Sequence, residues 1–394
     1  MIYLDHSATT PVDPRVRDAM LPYFTELFGN PSSLHRCGQQ ALAAVDAARQ
    51  TVADILGASP REIIFTGNGT EANNLALRGA AFAARRALSA PNERPHLITT
   101  PIEHHAILRT CEQLEREFGF EITYVPVNRH GMVNPDDVAR AINDRTILIS
   151  VMYANNEIGT LEPIAEIGKL ARARGIYFHT DAVQAGGYCE LNVKALMVDA
   201  MSLGAHKFHG PKGVGVLYLC HDAKILPMQT GGNQERGRRA GTENVPYIVG
   251  FAKALELAQS ERAANNARLR AQRERLTLEL LEKIPGAECT GHPTERLPGH
   301  ASFVIPDAVG DEMVFALDLA GVAVSTGSAC TAGSPEPSHV LAALGYAPNV
   351  ARGALRITLG RDNTDAEIDA AARVIPATIQ KIRNQNAPSF RATI

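Results

Sequence analysis

Between residues 38 and 57, GQQALAAVDAARQTVADILG, apolar positions return with a helical period and stop at Gly57. That period predicts an amphipathic helix closed by a glycine. EIIFTG (62–67) is instead a short unbroken apolar run, which predicts a buried strand. The two patterns then alternate. EANNLALRGAAFAARRAL predicts a helix, HLITTPIEH a strand and loop, AILRTCEQLEREFG a helix and EITYVPV a strand. TILISVMYANNE reads as a strand entering a polar loop, PIAEIGKLARARG as a helix, and IYFHTDAVQ as a strand entering another loop. Strands are also expected at 200–203 and 214–219, joined by a turn rich in glycine and histidine. Near-continuous apolar strands alternating with helices imply an α/β fold, with a mostly parallel sheet covered on both faces. In such a sheet the strands' C-terminal ends share one edge, where ligands bind.

Residues 247–284 form a charged helical pattern about twice the usual helix length, which we read as one solvated connecting helix. Beyond it, GHASFVIP, DEMVFALDLAG, VAVSTG and DAEIDAAARVIPATIQKIRNQ alternate strand and helix and suggest a smaller α+β domain. A chain of 394 residues fits two domains.

Composition narrows the functional classes. With 45% hydrophobic residues, 21% charged and a formal net charge of −3, the chain has no basic footprint for nucleic acid. No apolar run approaches the ~18–20 residues of a membrane span. The start, MIYLDHSATTPVD, has neither a basic n-region nor an apolar h-region, so a cytoplasmic protein is expected. Six scattered cysteines without a CxxC pair favour free thiols, and the histidine spacings do not suit a metal.

The chemistry gathers at the strand ends. Gly67, Gly69 and Thr70 open a helix after the first strand of the sheet, an arrangement that suits a phosphate or, equally, is only a helix cap. Glu103 and His104, Asn155 and Asn156, Asp181 and Gln184, and His206 and Lys207 follow successive strands. An amine, an acid and a phosphate seat on one edge suit pyridoxal 5′-phosphate, which needs a lysine for its Schiff base and an acidic partner for its ring nitrogen.

YLDHSATTPVDP, FGNPSSLHRCG, TEANN, IEHHAI, ANNEIGT, HTDAVQ, GAHKFHGPKGVG, GGNQERGRRAGTEN, STGSACTAGSPEPSHVL and LRITLGR occur in this order from residue 2 to about residue 375. Together they resemble the NifS/IscS-type cysteine desulfurases, fold-type I pyridoxal-phosphate enzymes related to aminotransferases. The resemblance implies a seven-stranded, mostly parallel sheet in a large domain (16–260), and a small domain (1–15 and 261–394) carrying a cysteine loop. It implies that Lys207 holds the cofactor, Asp181 pairs with its ring nitrogen, and His104 stacks on the ring and exchanges protons. Gln184 and Asn156 are then polar contacts of the ring, Asn156 also touching substrate, and Gly69, Thr70 and His206 phosphate ligands. Thr242 matches a threonine that reaches the phosphate of a neighbouring subunit, which implies a homodimer. Arg356 matches a clamp for the substrate carboxylate, and Cys330 the thiol that takes the sulfur. The implied reaction converts L-cysteine to L-alanine and leaves a persulfide on Cys330, for transfer to a sulfur acceptor such as an iron–sulfur scaffold. A selenocysteine lyase or another aminotransferase-like enzyme is the alternative. Two departures from the family pattern stand out. Gly204 replaces a common serine, removing one hydroxyl from the phosphate site, and LDHSATT replaces the commoner LDNNATT.

Overall fold

The computed structural model describes residues 1–87, 94–327 and 338–386. Its first six strands are β1 (Ile2–Tyr3), β2 (Ile63–Thr66), β3 (His96–Thr99), β4 (Glu121–Tyr124), β5 (Thr146–Ser150) and β6 (Tyr177–Asp181). β7 (Ala200–Gly204), β8 (Gly215–Leu219), β9 (Glu288–Cys289), β10 (His300–Val304), β11 (Val322–Ala323) and β12 (Ala354–Thr358) follow. Seven strands form the central sheet, ordered β2-β8-β7-β6-β5-β3-β4. β8 runs antiparallel to both its neighbours, while the other pairings are parallel. Chain length explains the exception. Only residues 205–214 join β7 to β8, too few for a parallel crossover. The short return holds a 3-10 turn, Ala205–Lys207, at the sheet's C-terminal edge.

Helices cover both faces. The helix Arg36–Leu56 turns Ala41, Val45, Val52 and Leu56 inward and ends where Gly57 adopts φ 66°. That left-handed geometry favours glycine and lets the Gly57 N–H satisfy the carbonyls of Ala53 and Asp54. On the other face, the helix Gly69–Ala87 buries Ala72, Leu75, Ala76 and Leu77 beside Ile64, Leu97 and Leu217.

The charged stretch 247–284 is not one solvated helix. It breaks at Glu261 into the helices Val245–Ser260 and Arg262–Lys283. The first packs Ile248, Phe251 and Leu255 into the core of the large sheet. The second packs Leu269, Leu276 and Leu280 into another core, with Phe303, Leu355 and Ile375. Dense charge along Arg262–Lys283 masks its apolar stripe, whereas Val245–Ser260 carries only Lys253 and Glu256. At the break, Glu261 accepts from Arg15 at 2.6 Å. The second core surrounds the antiparallel β9-β10-β12 sheet, with the C-terminal helix Asp365–Asn386 against it. The expected VAVSTG strand is short: Val322 and Ala323 pair with β1, and Ser325 makes a single bridge to Arg356 on β12.

Candidate active site

Lys207 emerges from the 3-10 turn after β7, and its Nζ donates to the carbonyls of Ser7 and Ala8, the latter at 2.8 Å. The segment 5–10 lies over this edge. Ser7 Oγ donates to Gln184 Oε1 at 3.3 Å, and Gln184 Nε2 donates to the Ser7 carbonyl at 3.0 Å. Thr10 donates twice to the His206 carbonyl, and the His206 ring contacts Thr9 Oγ1 at 3.2 Å. Burial first, then Lys207 and Lys212, depress the His206 pKa to about 4. Its imidazole is therefore neutral at pH 7.

Asp181 ends β6 and is 5% exposed. Its Oδ2 accepts from Asn73 Nδ2 at 2.6 Å and its Oδ1 from the Val183 N–H at 3.0 Å. Next to it, Glu103 is fully buried and accepts through Oε1 from Thr100 and from the Met152 N–H. Burial pushes its pKa up to about 8, despite those two donors and with a further rise from Asp181. Glu103 is thus mainly neutral at pH 7 and adds little charge beside Asp181.

His104 caps the helix His105–Phe118, its Nδ1 accepting from the Ala106 N–H at 3.1 Å. In the neutral ring that bond assigns the proton to Nε2. At the phosphate seat the two readings of Thr70 separate. Asn68 caps the helix Gly69–Ala87 through Oδ1 to the Glu71 N–H at 2.8 Å, and Glu71 turns back to the Gly67 N–H at 2.7 Å. Thr70 does neither, and it is exposed and lines the cavity. A Cβ on Gly69 would stand 2.6 Å from Val183 Cγ2, so a larger residue there would push that side chain aside.

Arg356, on β12, is 2% exposed and closes the site from the second core. Its Nη1 donates to the carbonyls of Asn156 at 2.9 Å and Gly327 at 2.6 Å, and its Nη2 meets Asp5 Oδ1 at 2.8 Å. Asn155 points elsewhere: its side chain serves Ile102, Glu157 and Ile158 in the loop.

Gly69, Thr70, His104, Asn156, Asp181, Gln184, His206, Lys207 and Arg356 all line one cavity of about 330 Å³. Thr242 does not line it; it is exposed in a separate segment. Cys330 lies outside the described residues, but Gly327 and His339 on either side of that stretch line the cavity. Ser338 donates to the cavity carboxylate of Glu157. The sequence reading missed Asp5, Ser7, Asn73, Glu157, His105 and His339. Asn73 follows Thr70 by three residues on the same helix, a spacing that could have found it; Asp5 and Ser7 follow only a two-residue strand, which no periodicity reveals.

Among the described residues, no group of three or more His, Cys, Asp or Glu is placed to hold a metal. Burial pushes the thiols of Cys189 and Cys220 up to about 12 and Cys111 higher still. Those three are poor nucleophiles at neutral pH.

An open sheet presenting an amine, a paired carboxylate and a helix N-terminus at its C-terminal edge defines a pyridoxal-phosphate type of site. The chain belongs to the aminotransferase class-V family, whose model matches residues 2–371. More particularly, it is 50% identical to the cysteine desulfurase IscS of Methanosarcina thermophila, over 98% of this chain and 93% of that protein. A solved NifS-like protein superposes with a TM-score of 0.89 at 36% identity, covering 96% of this chain and 99% of the other. A second structure, SspA in complex with cysteine, superposes with a TM-score of 0.80 at 36% identity, covering 92% and 100%. The family's cofactor is pyridoxal 5′-phosphate, and the donor set fits it. Lys207 offers an amine, Asp181 a buried carboxylate, and the first turn at Gly69 the N–H groups that a helix leaves without partners.

Proposed function

We propose that this protein is a cysteine desulfurase, taking sulfur from L-cysteine, releasing L-alanine and storing the sulfur as a persulfide on Cys330. One observation carries the reading: nine residues drawn from six sequence motifs line a single cavity, and Gly327, three residues before Cys330, lines it too. Three residues of chain span up to ~10 Å, enough to bring a side chain at 330 to that cavity.

Lys207, Asp181, Gln184, His206, Gly69 and Thr70 would hold the cofactor, with Thr242 of a second subunit added at its phosphate. When bound, the cofactor supplies an electron sink that loosens the bonds at the amino acid's α-carbon. Arg356 binds the substrate carboxylate and Asn156 orients the amino acid beside it. Lys207 Nζ moves the proton at the α-carbon. His104 offers its Nε2 to the substrate's amine and thiol. Asp181 would pair with the ring nitrogen of the bound cofactor. The Cys330 thiolate attacks the substrate sulfur, forming the S–S bond as the C–S bond breaks, and a proton completes the methyl group of alanine.

An acceptor protein, of the iron–sulfur scaffold kind, would then take the sulfur. A cytoplasmic setting agrees with the free cysteines Cys37, Cys111, Cys189, Cys220 and Cys289. The separate cores support dividing the chain into a large domain (16–260) and a small one (1–15 with 261–394). A homodimer is supported by the apolar residues exposed between 21 and 34: Leu21, Phe24, Phe28 and Leu34 are 53%, 50%, 71% and 91% exposed.

The deciding experiment is alanine and persulfide formation from L-cysteine by the cofactor-loaded enzyme and its Cys330→Ala variant. The variant should keep its bound cofactor and lose alanine formation by roughly a hundredfold or more. Undiminished turnover in C330A, especially with selenocysteine, would favour the lyase reading instead.

A further inference from the structure

Arg356 carries its charge almost out of water, and a desolvated guanidinium needs a compensating anion. Two of its hydrogen bonds go to neutral carbonyls, those of Asn156 and Gly327. Its ion pair is with Asp5, at 2.8 Å, whose side chain is 19% exposed. The pair is fixed from behind. Leu4 is buried in the second core, Asp5 bridges by its backbone to Thr358, and Thr358 lies two residues beyond Arg356 on β12. Donor capacity is left over, because Arg356 Nε is buried without a hydrogen-bond partner.

We propose that Asp5 is the resident counter-ion of Arg356, a positioning residue that holds the guanidinium at the cavity and tempers its pull on the carboxylate of a bound amino acid. The proposal rests on reading Arg356 as the carboxylate clamp. A ligand carboxylate arriving at Arg356 meets a charge already half compensated, and it also feels the Asp5 carboxylate. Orientation is thereby secured without a grip so tight that the product, which carries the same carboxylate, stays bound. Asparagine at position 5 would keep an oxygen for Nη2 while removing the opposing charge, so the cation would act in full on the ligand.

Calorimetric titration of the cofactor-loaded enzyme with L-alanine and with L-alaninamide, which has no carboxylate, tests this. D5N should bind L-alanine roughly fivefold or more tightly than the unmodified enzyme and bind L-alaninamide equally well. KM for L-cysteine should fall in parallel while kcat does not rise. D5E, which restores the charge, should return alanine affinity to its original value. Should D5N fold poorly, D5S carries the same expectation, read as a larger thermal shift on adding L-alanine. Unchanged or weaker alanine binding in the neutral variants, or an equal change for alaninamide, overturns the role of Asp5. R356Q separates the two readings. It should weaken alanine binding, and unchanged binding there would remove the clamp itself, whereas weakened binding in R356Q with no effect in D5N would remove only the counter-ion.

Discussion

At position 204 the family resemblance expects a serine, and the geometry says what the glycine there leaves out. A Cβ on Gly204 would lie 3.5 Å from Val183 Cγ1 and 3.7 Å from the Gly69 nitrogen, ordinary contact distances. The backbone there is extended, φ −136°, which any residue adopts. A serine therefore fits without displacing anything, beside the helix N-terminus that would receive phosphate. Gly204→Ser should slow cofactor loss several-fold, read as pyridoxal phosphate retained during dialysis; faster loss would show that the hydroxyl cannot reach. Glu103 makes a second prediction at this scale. Its folded pKa of about 8 lies above the ordinary 4.5, so the folded protein binds the extra proton between those values. Stability contributed by protonated Glu103 is present below about pH 4.5 and is lost as pH rises to 8. Glu103→Gln should flatten that fall, seen as a thermal midpoint that declines less between pH 5 and 8 than in the unmodified protein.

Among the elements, the turn Gln234–Gly237 places two successive non-glycine residues at positive φ. Glu235, Arg236 and Gly237 have φ of 48°, 59° and 76°, a left-handed turn that costs about 1–2 kcal/mol for each non-glycine residue. What holds it is a buried two-point ion pair, Arg49 Nη1 and Nη2 to Glu235 at 2.7 and 2.9 Å. Arg239 adds a second tie to Glu71 at 2.8 Å. Together they anchor the segment that carries Thr242 to the two helices flanking β2. Glu235→Ala would strand the buried Arg49 charge and should lower unfolding free energy by about 3 kcal/mol, measured by urea denaturation. A loss under about 1 kcal/mol would mean that water solvates Arg49 once Glu235 is gone.

For the whole molecule, the proposed homodimer rests on the exposed apolar residues around Phe28 and on Thr242 lying outside its own cavity. Phe28→Glu places a charge on that surface without touching either core, so the subunit should still fold. Sedimentation equilibrium should show dimer affinity reduced about tenfold or more; an unaltered dimer would place the interface elsewhere. At this scale the long charged stretch also finds its explanation. Two helices meeting at Glu261 each serve a different core, and the Asp13–Arg15–Glu261–Arg361 group of ion pairs gathers where they meet.

The sequence by itself determined the alternation of strands and helices, the mostly parallel sheet, and the residues set at its strand ends. Those features depend on local periodicity and on Lys207, Asp181 and His104 lying directly after apolar runs, so short stretches of chain carry them. Only the tertiary structure decided that the stretch 247–284 breaks to serve two cores, and that Asp5 pairs with Arg356 across 351 residues of sequence. Each of these turns on which distant group satisfies a buried charge or an apolar stripe. Distance along the chain does not encode that choice.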